Sequence, residues 1–190
     1  MRRFVLMSAL LACLAPAWAG DAPKQTPHLL DRFKSLAGDW SGEGLDGNSM
    51  PNTRVSYTVT AGGNAVEELL FGGTNHEMRT LYVRDGDDVV LVHFCASGNH
   101  PKMRARQLKD GRVEFSFDGG VNFDATKAGH MHDATFTFMG ADELRTSWRF
   151  WEGGKPAEHV ANLHLKRIGA AAATPAPSTN DNTLSNEPAQ

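Results

Sequence analysis

From about residue 39 to residue 167 the chain alternates apolar and polar positions with a period of two, in short runs interrupted by Gly, Asn and Asp. This pattern predicts ten strands: 39–44, 54–60, 65–71, 76–84, 89–95, 103–108, 112–118, 130–139, 144–151 and 157–167. Most connections are short and glycine-bearing, as in Ala61-Gly-Gly-Asn64, Asp85-Gly-Asp-Asp88 and Glu152-Gly-Gly-Lys155, and read as hairpin turns. Asp85-Gly-Asp-Asp88 also resembles the start of a calcium loop, but it lacks the distal Glu and fits a turn better. Ahead of the strands, Thr26-Pro27 followed by Leu29, Leu30, Phe33 and Leu36 predicts a short amphipathic helix with Thr26 as N-cap and Pro27 at its first position. Ten strands joined as a meander, with one apolar face, close most economically into an all-β, up-and-down antiparallel barrel without a free edge.

Charged positions show which face of each strand meets water. Glu77 and Arg79 place His76, Met78, Thr80 and Tyr82 inside. Asp133, Thr135 and Thr137 do the same for His130, His132, Ala134, Phe136 and Phe138; Arg145 and Arg149 place Thr146, Trp148 and Phe150 inside. Strand 89–95 is apolar on both faces and leaves the direction of His93 and Cys95 open. Alternate connections of a meander lie at opposite ends. Turns 61–64, 85–88, 109–111 and 140–143 therefore share one end with the helix, which closes it. Connections 45–53, 72–75, 96–102, 119–129 and 152–155 share the other, which is the mouth.

Met1-Arg2-Arg3, an apolar run from Phe4 to Leu14 and Ala17-Trp18-Ala19 have the layout of a secretory signal peptide over 1–19. The run is much shorter than the roughly 20 residues of a membrane span. A lipoprotein reading at Leu10-Leu11-Ala12-Cys13 is the weaker alternative. Loss of the leader removes Cys13, so Cys95 has no partner for an internal disulfide. It also takes the formal charge from −3 to about −5, with no Lys/Arg block, which argues against nucleic acid and anionic membrane as partners. Residues 169–190 are rich in Ala, Pro, Ser, Thr and Asn and read as a disordered tail. The expected product is a periplasmic or secreted barrel domain over 26–168.

The candidate chemistry gathers at the mouth. His76 and Met78 are expected to open a strand there, His93 and Cys95 to close one, and Met103, His130 and His132 to open two more. Imidazole, thioether and thiol groups together suit a transition metal, and His130-x-His132 puts two imidazoles on one strand face about 7 Å apart. The plainer reading is hydrogen bonding at the rim. Cys95 with His93 as nucleophile and base lacks a third group to orient the base. Met103, Met131 and Met139 read as gap-fillers. Glu68 is a carboxylate in an inward phase near mid-barrel. Glycines in the mouth stretch Gly119-Gly120-Val121-Asn122 suggest tight turns or close backbone approach to a ligand.

Leu36-Ala-Gly-Asp-Trp-Ser-Gly-Glu-Gly44 resembles the Gly-x-Trp signature of the calycin barrels, which include the lipocalins and fatty-acid-binding proteins. It is similar in particular to the opening of the nitrobindin-like haem proteins. The layout, with His93-Phe-Cys-Ala-Ser-Gly-Asn-His-Pro-Lys-Met103 and Gly129-His-Met-His132, also resembles a group of secreted bacterial barrels of uncharacterised function. The calycin resemblance implies that Trp40 closes the blind end beneath an Arg of the last strand, here Arg167. The nitrobindin likeness makes His159 the candidate haem ligand. Three readings follow. In the first, a small, partly apolar ligand enters a barrel lined by Tyr57, Val59, Tyr82, Phe115, Phe117, Phe136, Phe138, Trp148 and Phe150. Its polar end, or a metal, is then held by His76, Met78, His93, Cys95, His130 and His132. In the second, rim histidines act as general acid and base. In the third, the barrel is filled and binds another envelope protein.

Overall fold

The computed structural model describes residues 27–44, 53–106 and 110–168. The signal-peptide stretch, Thr26, the connection 45–52 and the tail 169–190 lie outside the described residues. The alternating segments form β1 (Gly38–Gly44), β2 (Thr53–Thr60), β3 (Ala65–Leu70), β4 (Met78–Asp85), β5 (Asp88–Phe94), β6 (His100–Arg106), β7 (Arg112–Val121), β8 (His130–Phe138), β9 (Glu143–Glu152) and β10 (Lys155–Ile168). Each strand pairs antiparallel with its neighbour in sequence, and β1 pairs with β10, so the sheet closes as an all-β, up-and-down barrel. This architecture is consistent with a calycin-like barrel. No helix among the described residues is long and apolar enough to cross a membrane.

Strand ends at the mouth differ from the pattern-based expectation. β4 starts at Met78 rather than His76, because the turn before it is built from its own bonds: Thr74 N–H to Phe71 O, Glu77 N–H to Thr74 O, and Gly73 N–H to the Glu77 carboxylate. β5 stops at Phe94, since Cys95 N–H donates to Asn99 O in a tight turn. β6 begins early, at His100, and β7 runs on to Val121 against it. Asp85-Gly-Asp-Asp88 is a hairpin turn, with Asp85 and Asp88 paired to Arg104.

The opposite end is shut by α1 (Leu29–Lys34). Its N-cap is His28 and not Thr26. The His28 imidazole accepts from Leu30 N–H while Asp31 accepts from the His28 N–H, an imidazole version of a capping box. Because Nδ1 is the acceptor, Nε2 carries the proton and donates to Gly86 O at 3.2 Å. Arg32 reaches Gly111 O at 3.1 Å, so the helix is tied to two blind-end turns. Phe33, fully buried, enters the barrel. It stacks on Tyr82 (ring centroids 4.6 Å apart) and meets Phe115, Phe136 and Phe138 edge-on.

Arg167 completes the closure. Its guanidinium lies 4.3 Å over the Trp40 ring and donates to Ser35 O, Leu36 O, Ala37 O and Ala141 O at 2.7–3.3 Å. Trp40 Nε1–H donates to Leu36 O at 2.8 Å. The Trp–Arg arrangement implied by the calycin resemblance is thus present. Replacing Arg167 with Met keeps the stem but leaves these carbonyls without their charged donor. We expect Arg167→Met to lower unfolding stability by about 2–4 kcal/mol in urea titrations. A loss below about 0.5 kcal/mol would show that the helix holds the end shut without it.

Candidate functional site

The register of the three hairpins from β2 to β5 aligns an unusual row on the inner wall. Tyr57 pairs with Glu68, Glu68 with Thr80 and Thr80 with His93. All four are buried. Tyr57 donates to Glu68 Oε1 at 2.8 Å and Tyr82 to Oε2 at 2.7 Å, with Thr80 the cross-strand neighbour of the same carboxyl. Thr80 Oγ1 is also 2.9 Å from His93 Nδ1. Whichever of the two supplies the proton, this bond engages Nδ1 and leaves His93 Nε2 over. That atom is buried and has no hydrogen-bond partner in the protein.

Burial sets the acid–base character of the row. It raises the Glu68 carboxyl above its usual range against the lowering effect of the hydroxyls around it, Tyr82 first. Burial, with the Glu68 charge second, pushes both tyrosines well above 10. It pulls His93 down to about 4, with a smaller contribution from His100 nearby.

A second group lies at the mouth. His130 Nδ1–H donates to Ala128 O at 2.9 Å, and its Nε2 is 3.0 Å from His132 Nδ1. In the neutral pair His130 Nε2 must accept, so His132 Nδ1 carries the proton and its Nε2 is a lone pair. The His132 ring is sandwiched between Phe117 (4.7 Å) and Trp151 (3.8 Å), nearly parallel to both. Burial again lowers its pKa; Asp133 opposes this and His130 adds to it. The alternation that predicts both histidines inside does not persist here. β8 shifts register against β9 between Met131 and Asp133, and Met131 packs on the core. Similar shifts occur in β6 between Pro101 and Met103 and in β10 between Pro156 and Val160. All three lie in the mouth half, where bulges re-aim side chains.

Further buried polar atoms here lack protein partners: Asn99 Oδ1, His100 Nδ1 and Trp151 Nε1. The mouth loops are nevertheless fastened to each other, with Asn99 Nδ2 donating to Gly129 O at 2.7 Å and Asn122 Nδ2 to Gly98 O at 2.9 Å. Close approach at the mouth glycines is made by aromatic rings. A Cβ on Gly120 would lie 2.3 Å from Phe123, and one on Gly129 2.5 Å from Phe150.

The six residues read as a metal set are therefore dispersed among different environments. His93 is in the buried row, His130 and His132 bond to each other, His76 is exposed in a turn, Met78 is half-buried against the core, and Cys95 is half-buried in the turn after β5. Among the described residues, no three His, Cys, Asp or Glu side chains are arranged to hold a metal ion. His159 lies in the shifted part of β10, and its side chain is outside the described residues. Of the aromatic wall, Tyr57, Tyr82, Phe115, Phe136 and Trp148 are buried in the core, with Phe33 packed among those nearest the blind end. Phe138 lies against Phe33, under Arg32. Phe117 and Phe150 are half-buried nearer the mouth. Met103 fills the core, whereas Met139 is exposed.

Sequence reading did not single out Thr80, His100, Phe123 or Trp151. Hairpin arithmetic could have found Thr80, since pairing Asp85 with Asp88 forces Thr80 opposite His93. Nothing local signals Trp151, which alternation alone turns outward. Compared with protein-family models and with curated proteins, the chain matches none.

A His buried neutral stabilises the fold above its unfolded pKa near 6.5, and that stability is lost as pH falls toward the folded value of about 4. Glu68, shifted upward, works in the opposite sense. Comparison with His93→Asn isolates the His93 part: between pH 7.5 and pH 4 the wild-type protein should lose about 3 kcal/mol more than the variant. Parallel stability curves would contradict the neutral buried imidazole. Gly129→Ala should displace Phe150 and cost about 1–3 kcal/mol, with a changed Trp emission spectrum. An unchanged spectrum and stability would show that the ring moves aside freely.

Proposed function

We propose that this protein is an exported barrel that binds a small, partly apolar molecule through its open end. The observation that carries this reading is the asymmetry of the polar groups. At the closed end, Arg167, Arg32, His28 and Trp40 all have partners. In the mouth half, His93 Nε2, Asn99 Oδ1, His100 Nδ1 and Trp151 Nε1 are buried without any, against the single Thr146 Oγ1, opposite Phe136, toward the closed end among the described residues. An unpaired buried polar atom costs about 1–3 kcal/mol, so a cluster of them is explained by a molecule that supplies the missing bonds. Aromatic rings beside them, Phe117, Phe150, Trp148 and Trp151, suit an apolar body. The described surface hollows, one around Met139 and Arg167 and one around Arg54 and Leu69, lie outside the barrel and offer no comparable set.

The leader-like N-terminus supports export, and the acidic charge and the absence of a basic block favour a small molecule over nucleic acid. A resident transition metal or haem, and an enzyme working through the rim histidines, have less support than simple binding. Titration of the mature protein with the neutral fluorophore N-phenyl-1-naphthylamine should give saturable enhancement in the micromolar range, about −8 kcal/mol. Native mass spectrometry after purification without chelator should show a bound organic molecule. No fluorophore binding and identical native and denatured masses would defeat the reading.

A further inference from the structure

Given that the barrel takes a ligand, as argued above, the hydrogen bonds of the histidine pair at the mouth bear on what kind it takes. They start from a backbone carbonyl. Ala128 O can only accept, so His130 Nδ1, 2.9 Å away, is a protonated nitrogen. His130 is fully buried beside aromatic rings, with Phe123 at 4.8 Å and Phe117 at 5.0 Å between centroids. Its two nitrogens meet a carbonyl and an imidazole, so a second proton would have no carboxylate bonded to it to offset the buried charge, and Nε2 is a lone pair. His132 Nδ1 lies 3.0 Å from that lone pair. Two lone pairs at this distance would repel, so His132 Nδ1 carries the proton and its Nε2 does not. Each bond fixes the direction of the next, beginning at Ala128.

His132 Nε2 is the open end of this relay. Among the described residues no protein group bonds to it, and unlike His93 Nε2 it is open to solvent. The ring that carries it is held between Phe117, 4.7 Å away and tilted by 17°, and Trp151, 3.8 Å away and tilted by 13°, which gives the lone pair a fixed direction. Trp151 Nε1–H, in the ring stacked on His132, is buried without a partner and can only donate. The two stacked rings thus offer one acceptor and one donor. A carboxylate would meet a lone pair at His132, with Asp133 next along the strand and no Lys or Arg among the described buried residues to offset its desolvation. An ammonium group, which only donates, would have nothing for the indole N–H. We propose that His132 Nε2 is the docking atom for an uncharged ligand that gives it a hydroxyl or N–H proton, and that His130 fixes this preference by holding His132 in the Nδ1–H form. His130 is a positioning residue in this scheme, since it acts on the ligand only through His132.

The test uses the mature full chain and three probes of similar shape, 4-propylphenol, 4-propylanisole and 4-propylbenzoate, each competing with N-phenyl-1-naphthylamine at pH 7.5. The phenol should bind at least about tenfold more tightly than the anisole, which has the oxygen without the proton, and more tightly than the benzoate. In His132→Phe, which keeps a flat ring in the stack, the phenol-to-anisole ratio should drop about tenfold from its wild-type value. Nitrogen NMR of the wild-type protein supplies an arm that needs no variant. Without ligand, His130 and His132 should both show the Nδ1–H tautomer. With 4-propylphenol bound, His132 Nε2 should shift more than any other imidazole nitrogen. His130→Phe should mix the His132 tautomers; an unmixed Nδ1–H form would overturn the positioning role of His130. An Nε2–H tautomer of His132 in the wild type, a largest shift at His93, or an anisole or benzoate that binds as tightly as the phenol would each overturn the docking assignment and leave the ligand-binding reading standing. So would a His132→Phe protein that binds the fluorophore and keeps the phenol's advantage. Failure of the fluorophore and all three probes to bind would instead sink the ligand-binding reading itself.

Discussion

A guanidinium that is nearly covered must have its N–H groups satisfied, and Arg167 meets this demand by reaching out of the last strand to the chain before the first. Its donors end on carbonyls of Ser35, Leu36 and Ala37, the link between α1 and β1, and on Ala141 in the β8–β9 turn. The flat face rests on Trp40. One side chain thereby joins the two terminal strands, the helix and a blind-end turn. With that end fixed, Phe33 is held in the barrel and the aromatic core assembles around it. The other end remains as the place where connections are longer, strands shift register and most of the unpaired buried polar atoms of the described residues lie.

The buried row from Tyr57 to His93 would be a costly choice for stability alone. An apolar barrel could be filled by Leu and Phe with no desolvation of a carboxyl and an imidazole. Its members are nevertheless almost fully satisfied, which is the condition under which a buried network can rigidify a core. It also ties four strands to one register, because a one-residue slip of any of them would carry its polar member to the outer face. The row breaks off at His93 Nε2.

Much of the fold can be read from the chain because period-two alternation and glycine turns are local signals. All ten strands occur where alternation predicts them, and the closed end is where turn parity puts it, beside the helix. The pairing of Trp40 with Arg167 is legible only through the resemblance of Gly38-Asp-Trp40 to a calycin opening. Reading fails where the backbone departs from regularity. The bulge at His132 breaks the phase rule, so counting alternate residues misjudges Met131 and Trp151. His76 and Cys95 look like strand residues until turn hydrogen bonds claim the backbone around them. Side chains that share one end of a barrel need not share one point, and composition at the mouth could not show that His93 bonds Thr80 while His130 bonds His132.

In the mouth half of the barrel, His93 Nε2 is buried and no protein group bonds to it. A crystal structure of the mature protein, without added ligand and at a resolution that shows ordered water, tests it most directly. We expect a water molecule or a co-purified ligand within about 3.2 Å of His93 Nε2, in space continuous with the mouth. An Nε2 packed against apolar atoms, with the barrel filled from Phe33 to the mouth, would contradict it.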